Sequence, residues 1–228
     1  VQSFPYIVPN SIAGNMSRAL MLRGHNTVFC GGPGSGLACL GMAALAIQSG
    51  HVDACLSGAT DELSERIIGD AFSAGLLGGM GATVPGEASV MLMLESAEHA
   101  RARKAPAIAR ICGTAFCSGA DDSERGRRIL VSTLQSALER AAVDAGKIRY
   151  VCCSANNRRE TEALSAVIGE LDGRIVDVST ILGNAESSLP LLNLAYVLGI
   201  SLVESDEARN YILCSFSSAK GNCTALVI

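Results

Sequence analysis

The stretch from Leu37 to Ser49 constrains the fold more than any other part of the chain. It has helical length, carries apolar or small residues on nearly all faces, and stops at Gly50. A helix of that kind has no face suited to water and belongs inside the protein. Before it runs a β-type segment, Asn26-Thr27-Val28-Phe29-Cys30, which breaks into Gly31-Gly32-Pro33-Gly34-Ser35-Gly36. After it comes another short apolar run, Ala54 to Gly58. Strand, glycine-rich turn, buried helix and strand together predict a βα unit in a largely parallel sheet.

The rest of the chain continues the theme. Ala74 to Gly86 is rich in Gly and reads as loop, and Ala88 to Glu95 alternates weakly and reads as a buried strand. Ile108–Cys117, Arg149–Ser154, Ile175–Ser179, Tyr211–Phe216 and Thr224–Ile228 read as strands. Arg127–Ala145, Glu160–Leu171 and Leu189–Leu202 read as helices. The first has a stripe at Ile129, Leu130, Leu134, Ala137, Leu138 and Ala141, and the last carries Pro190 near its start, where a missing N–H costs little. With only 18% charged residues and 24 glycines, the composition suits a compact layered α/β unit. No linker or shift in composition divides it, so residues 1–228 read as one domain.

Several function classes lose support at once. The net charge is −4 and no Lys/Arg block stands out, so nucleic acid is not an expected partner. No apolar run reaches membrane-spanning length, and no membrane partner is expected. The nine cysteines lie mostly in apolar runs, without metal spacing and in odd number, so a reducing cytoplasm is expected, with no metal and no cofactor. The chain starts at Val1 with no signal-peptide pattern, and the lack of Met there is read as a true N-terminus lying outside these residues.

A set of segments in order is more specific. These are Pro9-Asn10-Ser11 to Leu22-Arg23-Gly24, Thr27-Val28, Ser35-Gly36-Leu37, and Ser49-Gly50-His51-Val52-Asp53-Ala54. Then follow Ser57-Gly58-Ala59-Thr60-Asp61-Glu62, Gly86-Glu87-Ala88 to Leu94-Glu95, Glu98-His99-Ala100, and Ser215-Phe216 with Gly221-Asn222. In this order and spacing the chain resembles the β-ketoacyl-ACP synthases of fatty-acid and polyketide biosynthesis. The resemblance implies a thiolase-like fold, layered αβαβα and built from two βαβαβ-type halves. Residues 1–100 would form a shortened N-terminal half and 101–228 the C-terminal half.

The resemblance also implies where chemistry should sit. The family uses a Cys nucleophile at the start of a buried helix, where a thiolate is favoured. Two His residues stabilise the enolate formed by decarboxylation, and backbone N–H groups hold the thioester oxyanion. Here the nucleophile's place falls on Pro33, which has neither a thiol nor a backbone N–H. The two His places fall on Ser154 and Asn184, and the supporting Lys on about Ser179. The gating loop reads Ser217-Ser218-Ala219-Lys220-Gly221 after Phe216, so Phe216 and Ser218 are the candidate tunnel or gate residues. Independently of any alignment, the histidines are His25, His51 and His99, and none lies beyond position 99. Two imidazoles from the C-terminal half are therefore not to be had.

Other residues have plain structural readings. Pro33 also fits the first turn of the helix. Ser35 has no downstream His as base, and the motif around it departs from a nucleophile elbow. Residues 31–36 lack the Lys-Ser/Thr ending of a phosphate-binding loop and read as tight strand–helix packing. Cys30, Cys117, Cys152 and Cys153 read as buried structural thiols. His99 lies in a charged, exposed helical segment, and Arg158, Arg159 and Glu160 read as a solvated turn, with carrier-protein contact as the functional alternative.

A ketosynthase-like chain without ketosynthase side chains resembles the chain-length factor of type II polyketide systems, of the aryl polyene or highly reducing kind. That resemblance implies a heterodimer with an active β-ketoacyl-ACP synthase, a shared chain tunnel, and contact with acyl carrier protein through the complex. The interface would be built on Asn26, Thr27, Val28, Phe29 and Cys30 and on the helix after Pro33. Two alternatives stand beside it: a thiolase-fold acyltransferase or hydrolase using Cys30 or Ser35, and a structural homodimeric paralogue.

Overall fold

A computed structural model describes residues 8–75, 77, 84–203, 211–218 and 221–228. Its elements run α1 (Ser11–Ala19), α2 (Ser35–Gln48), β1 (Ala54–Asp61), α3 (Glu65–Ser73), β2 (Ala88–Glu95) and α4 (Ala97–Ala102). They continue with β3 (Gly113–Cys117), α5 (Glu124–Ala141), β4 (Ile148–Cys152), α6 (Arg158–Ile168), β5 (Ile175–Val176), α7 (Ser179–Leu182), α8 (Leu189–Val203), β6 (Tyr211–Ser217) and β7 (Cys223–Val227).

The strands form two sheets. β1 and β2 make an antiparallel pair, with Cys55 opposite Leu94, Ser57 opposite Leu92 and Ala59 opposite Val90. The second sheet has the order β3-β7-β6-β4-β5; β4 is parallel to β5 and β6, while β7 runs antiparallel to β6 and β3. The expectation of a largely parallel sheet is corrected to a mixed one. β6, β7 and β3 are joined edge to edge as an antiparallel run, which periodicity alone does not distinguish from crossovers.

α2 and α8 lie between the sheets, and α5 and α6 cover the far face of the larger one. Period-two alternation sorts β6 and β7 between two cores. Ile212, Cys214, Phe216, Leu226 and Ile228 face α2 and α8, with Leu37, Leu40, Leu191 and Leu194. Leu213, Cys223, Ala225 and Val227 face α5 and α6, with Leu130, Leu134, Ala137 and Leu164. The all-round apolar α2 is thereby accounted for, since one side meets β1 and β2 and the other meets β7.

Three expectations fail here. Residues 26–30 are not a strand; the segment is exposed and has no ladder partner, and a strand exists only through such pairing. Asn26 instead ties it to α1, its Nδ2 donating to Ser17 Oγ at 2.8 Å and to the Ala13 carbonyl at 3.2 Å. β2 is not buried on both sides: Val90, Leu92 and Leu94 pack inward, but Met91 and Met93 are 38% and 58% exposed. Its two faces are both apolar, which reads from sequence as full burial. The strands expected over residues 108–117 and 175–179 shrink to Gly113–Cys117 and Ile175–Val176.

α2 approaches its neighbours closely enough to require glycine. A Cβ on Gly36 would lie 2.1 Å from the Ser187 carbonyl oxygen just ahead of α8. Gly36→Ala is therefore expected to lower unfolding free energy by about 3 kcal/mol, read by urea titration. Gly199→Ala on exposed α8 surface, where a Cβ meets nothing within 4 Å, should be neutral or stabilising by about 0.5–1 kcal/mol.

Candidate functional site

The turn that leads into α2 is built by glycine and proline together. Gly32 adopts φ +79°, Gly34 is the N-cap, and α2 begins at Ser35. The Ser35 N–H and hydroxyl both donate to the Gly32 carbonyl, at 2.9 and 2.6 Å. Pro33 thus lies in the turn before the helix, not at its first residue as expected, because the tight Gly32–Ser35 turn precedes the cap. Gly34 sits on β6, with its Cβ direction 3.2 Å from the Phe216 carbonyl oxygen. Pro33 therefore places a pyrrolidine ring in the turn ahead of α2, and the Ser35 hydroxyl beside it is engaged by a backbone carbonyl. Cys30, read as buried, is exposed because the segment carrying it packs against no sheet.

The C-terminal-half positions serve as turn braces. Ser154 follows β4 and its carbonyl accepts from Asn157 N–H at 3.1 Å. Asp177 links this turn to Ser179: its two oxygens accept from Ala155 N–H at 2.7 Å and from Ser179 N–H at 3.0 Å. Asn184 Oδ1 accepts from Glu186 N–H at 3.1 Å, while its backbone bonds to Val84 and Gly86 ahead of β2. Ala155 and Ser179 thus share one carboxylate, and Asn184 braces a different junction. Phe216 is 2% exposed and points into the α2/α8 layer. Ser218 closes a turn, its Oγ accepting from Asn222 N–H at 3.2 Å. Ala219 and Lys220 lie outside the described residues.

Asp61, at the end of β1, fixes the start of α8. One of its oxygens accepts from Ser187 Oγ at 2.7 Å, Ser188 N–H at 2.8 Å and Ser188 Oγ at 2.6 Å. Asp61 belongs to a segment that the resemblance picked out, but nothing in the sequence signalled its partner 127 positions on. His99 is also engaged, with Nδ1 2.7 Å from Glu95. Among the described residues, no cluster of three or more His, Cys, Asp or Glu could hold a metal ion.

The reading of Arg158, Arg159 and Glu160 as a solvated turn is overturned. They open α6, capped by Asn157 Oδ1, which accepts from Glu160 N–H at 3.3 Å. Glu160 points into the sheet and is fully buried, accepting from Ser215 Oγ at 2.7 Å. Burial pushes its carboxyl up to about 8, against the opposing pull of the Ser215 bond and Arg159. Arg159 spans from Asp122, at 3.0 Å, to Ser217 Oγ and the Ser218 carbonyl, both at 3.2 Å. The missed signal was spacing: Glu160, Ala163, Leu164 and Ile168 form one buried helical face.

No protein-family model matches the chain. A Streptomyces halstedii protein named as a polyketide beta-ketoacyl synthase is 28% identical over 191 residues, covering 71% of this chain and 44% of the relative. A Streptomyces coelicolor protein named as an actinorhodin polyketide beta-ketoacyl synthase is 26% identical over 218 residues, covering 84% and 47%. The chain spans about half the length of the curated relatives it matches. Among solved structures, the ishigamide ketosynthase/chain length factor superposes with a TM-score of 0.81 at 24% identity, over 98% of this chain and 62% of the other. A beta-ketoacyl synthase from Burkholderia phymatum gives 0.83 at 21% identity, over 96% and 65%. The chain is thus similar in sequence to polyketide beta-ketoacyl synthases and has the thiolase-like fold of the ketosynthases. No helix among the described residues is long and apolar enough to cross a membrane.

The protonated state of Glu160 sets a pH dependence. Folding holds this proton to about pH 8, whereas a free glutamate releases it near 4.5, so stability should fall as pH rises through that window. Glu160→Gln, which keeps the shape and an acceptor for Ser215, should flatten the decline. Its unfolding free energy relative to the parent should grow by a few kcal/mol between pH 5 and pH 9, at roughly 1.4 kcal/mol for each pH unit over which the proton is held. Parallel pH profiles from urea titrations would contradict this.

Proposed function

We propose that this chain is a catalytically degenerate ketosynthase subunit. In this reading it pairs with an active β-ketoacyl-ACP synthase as a chain-length factor and shapes a shared acyl-chain tunnel. Acyl carrier protein meets the complex through the active partner. The subunit itself supplies no nucleophile and no catalytic imidazole: Pro33, Ser154 and Asn184 stand at those places, and residues 100–228 hold no His.

The observation that carries the pairing is uncovered apolar surface. Met91 and Met93 on the outer face of β2, and Leu20, Met21, Leu22, Val28 and Phe29 around the unpaired 26–30 segment, are all 38% exposed or more. Large apolar side chains left this exposed mark interaction sites. An exposed segment without a strand partner among the described residues is suited to gain one. The relatives support the class of partner, since one superposing structure is named as a ketosynthase/chain length factor. Another is named as a type II polyketide acyl-carrier protein in complex with its ketosynthase; it gives a TM-score of 0.83 at 19% identity. The rival acyltransferase or hydrolase reading is weakened at Ser35, whose hydroxyl donates to the Gly32 carbonyl at 2.6 Å.

Intact-mass measurement after exposure to an acyl thioester tests the degenerate half of the proposal. Under conditions that load a ketosynthase with an intact Cys nucleophile, no acyl adduct is expected. A stoichiometric adduct that disappears in Cys30→Ala or Ser35→Ala would overturn it. Pro33→Cys alone should not create condensing activity, because the thiol would still lack both imidazoles.

A further inference from the structure

Two cysteines far apart in sequence meet on the outer face of the five-stranded sheet. Cys117 ends β3, an edge strand, and Cys223 begins β7; the two are direct cross-strand partners. In antiparallel pairing, directly opposite Cα atoms lie about 4.5–5.5 Å apart. That falls inside the roughly 4.4–6.8 Å that a disulfide spans. Both side chains lie on the same side of the sheet, because directly opposite residues of an antiparallel pair share a face.

The surroundings make the two thiols unequal. Cys117 is half-buried and lines an open groove of about 600 Å³ between β3 and α5, which also carries Arg125, Arg128, Thr133 and Arg140. The neighbouring Cys223 brings its thiol down to about 6 against the effect of burial. Cys223 is 3% exposed, and its interaction with neighbouring Cys117, its burial and the nearby Glu160 carboxyl hold its own thiol up. A reachable thiolate beside a sheltered second thiol is the arrangement of an attacking and a resolving cysteine. The comparison pair Cys152 and Cys214 is also in register, between parallel strands, but both are fully buried where no oxidant reaches them.

We propose that Cys117 and Cys223 form an oxidisable dithiol, a modification site at which a peroxide converts the pair into a cross-strand disulfide. The Cys117 thiolate attacks one peroxide oxygen, the O–O bond breaks, and water leaves after protonation, giving a sulfenic acid at Cys117. The Cys223 sulfur then attacks the Cys117 sulfur; the S–S bond forms, the S–O bond breaks and a second water leaves. Two thiols lose two electrons and two protons in total, and one hydrogen peroxide becomes two waters. The disulfide clamps edge strand β3 to β7 at the side of α5. This site is independent of the role proposed for the α2 and 26–30 regions.

The test is to treat the reduced protein with equimolar hydrogen peroxide, alkylate the remaining thiols after denaturation, and map the tryptic peptides. A disulfide joining residues 111–125 to residues 221–228 is expected. It should persist in Cys112→Ser and vanish in Cys117→Ser. In Cys223→Ser the reaction should stop at a sulfenic acid on Cys117 that dimedone traps. Without oxidant, Cys117 should alkylate at pH 7 about tenfold faster than half-buried Cys39 or Cys55. Full recovery of both thiols after peroxide, or a crosslink that survives Cys117→Ser, would overturn the proposal.

Discussion

The burial of α2 on all sides is the constraint on which the other features depend. An apolar helix without a solvent face needs a layer on each side, and the two sheets supply them. Close packing then dictates small residues wherever backbone meets backbone: Gly34 against β6, and Gly36 against the turn before α8. The same packing draws three polar junctions around the helix start. Asp61 pins α8, Asp177 joins the Ser154 turn to Ser179, and Asn184 braces the segment before β2.

In the proposed reading, the positions expected to carry ketosynthase chemistry have plain structural partners. Asn184 and Ser35 are bound into their own turns, Ser154 closes a turn with Asn157, and Ser179 donates its N–H to Asp177. Chemistry of the ketosynthase kind would need those groups aimed at a common reacting atom. The one fully buried carboxyl among the described residues, Glu160, lies on the opposite face of the larger sheet, beneath α6. It locks that helix to β6 and does not face the α2 layer.

The sequence was most legible where one residue pattern allowed one arrangement. α2 and α8 are apolar throughout and were found within two residues of their ends; α5 showed its stripe, though its start lies three residues earlier than read. The fold emerged from the order of short segments, not from any single motif. Legibility failed where partners decide the outcome. Residues 26–30 have strand composition but no ladder, and β2 has two apolar faces of which one is covered. Glu160 was misread because a charged triplet looks solvated unless its place on a buried helical face is counted. The Asp61 and Asp177 bridges join residues whose proximity only the folded chain reveals.

The proposed pairing depends on what covers the exposed apolar residues of β2 and of the 20–29 region. The most direct measurement is the native mass of the tagged protein purified gently from its host, with its companion identified by peptide sequencing. A one-to-one complex with a ketosynthase that retains its Cys and both His residues is the predicted result. A monomer, or a homodimer that leaves such a ketosynthase unbound, would contradict it.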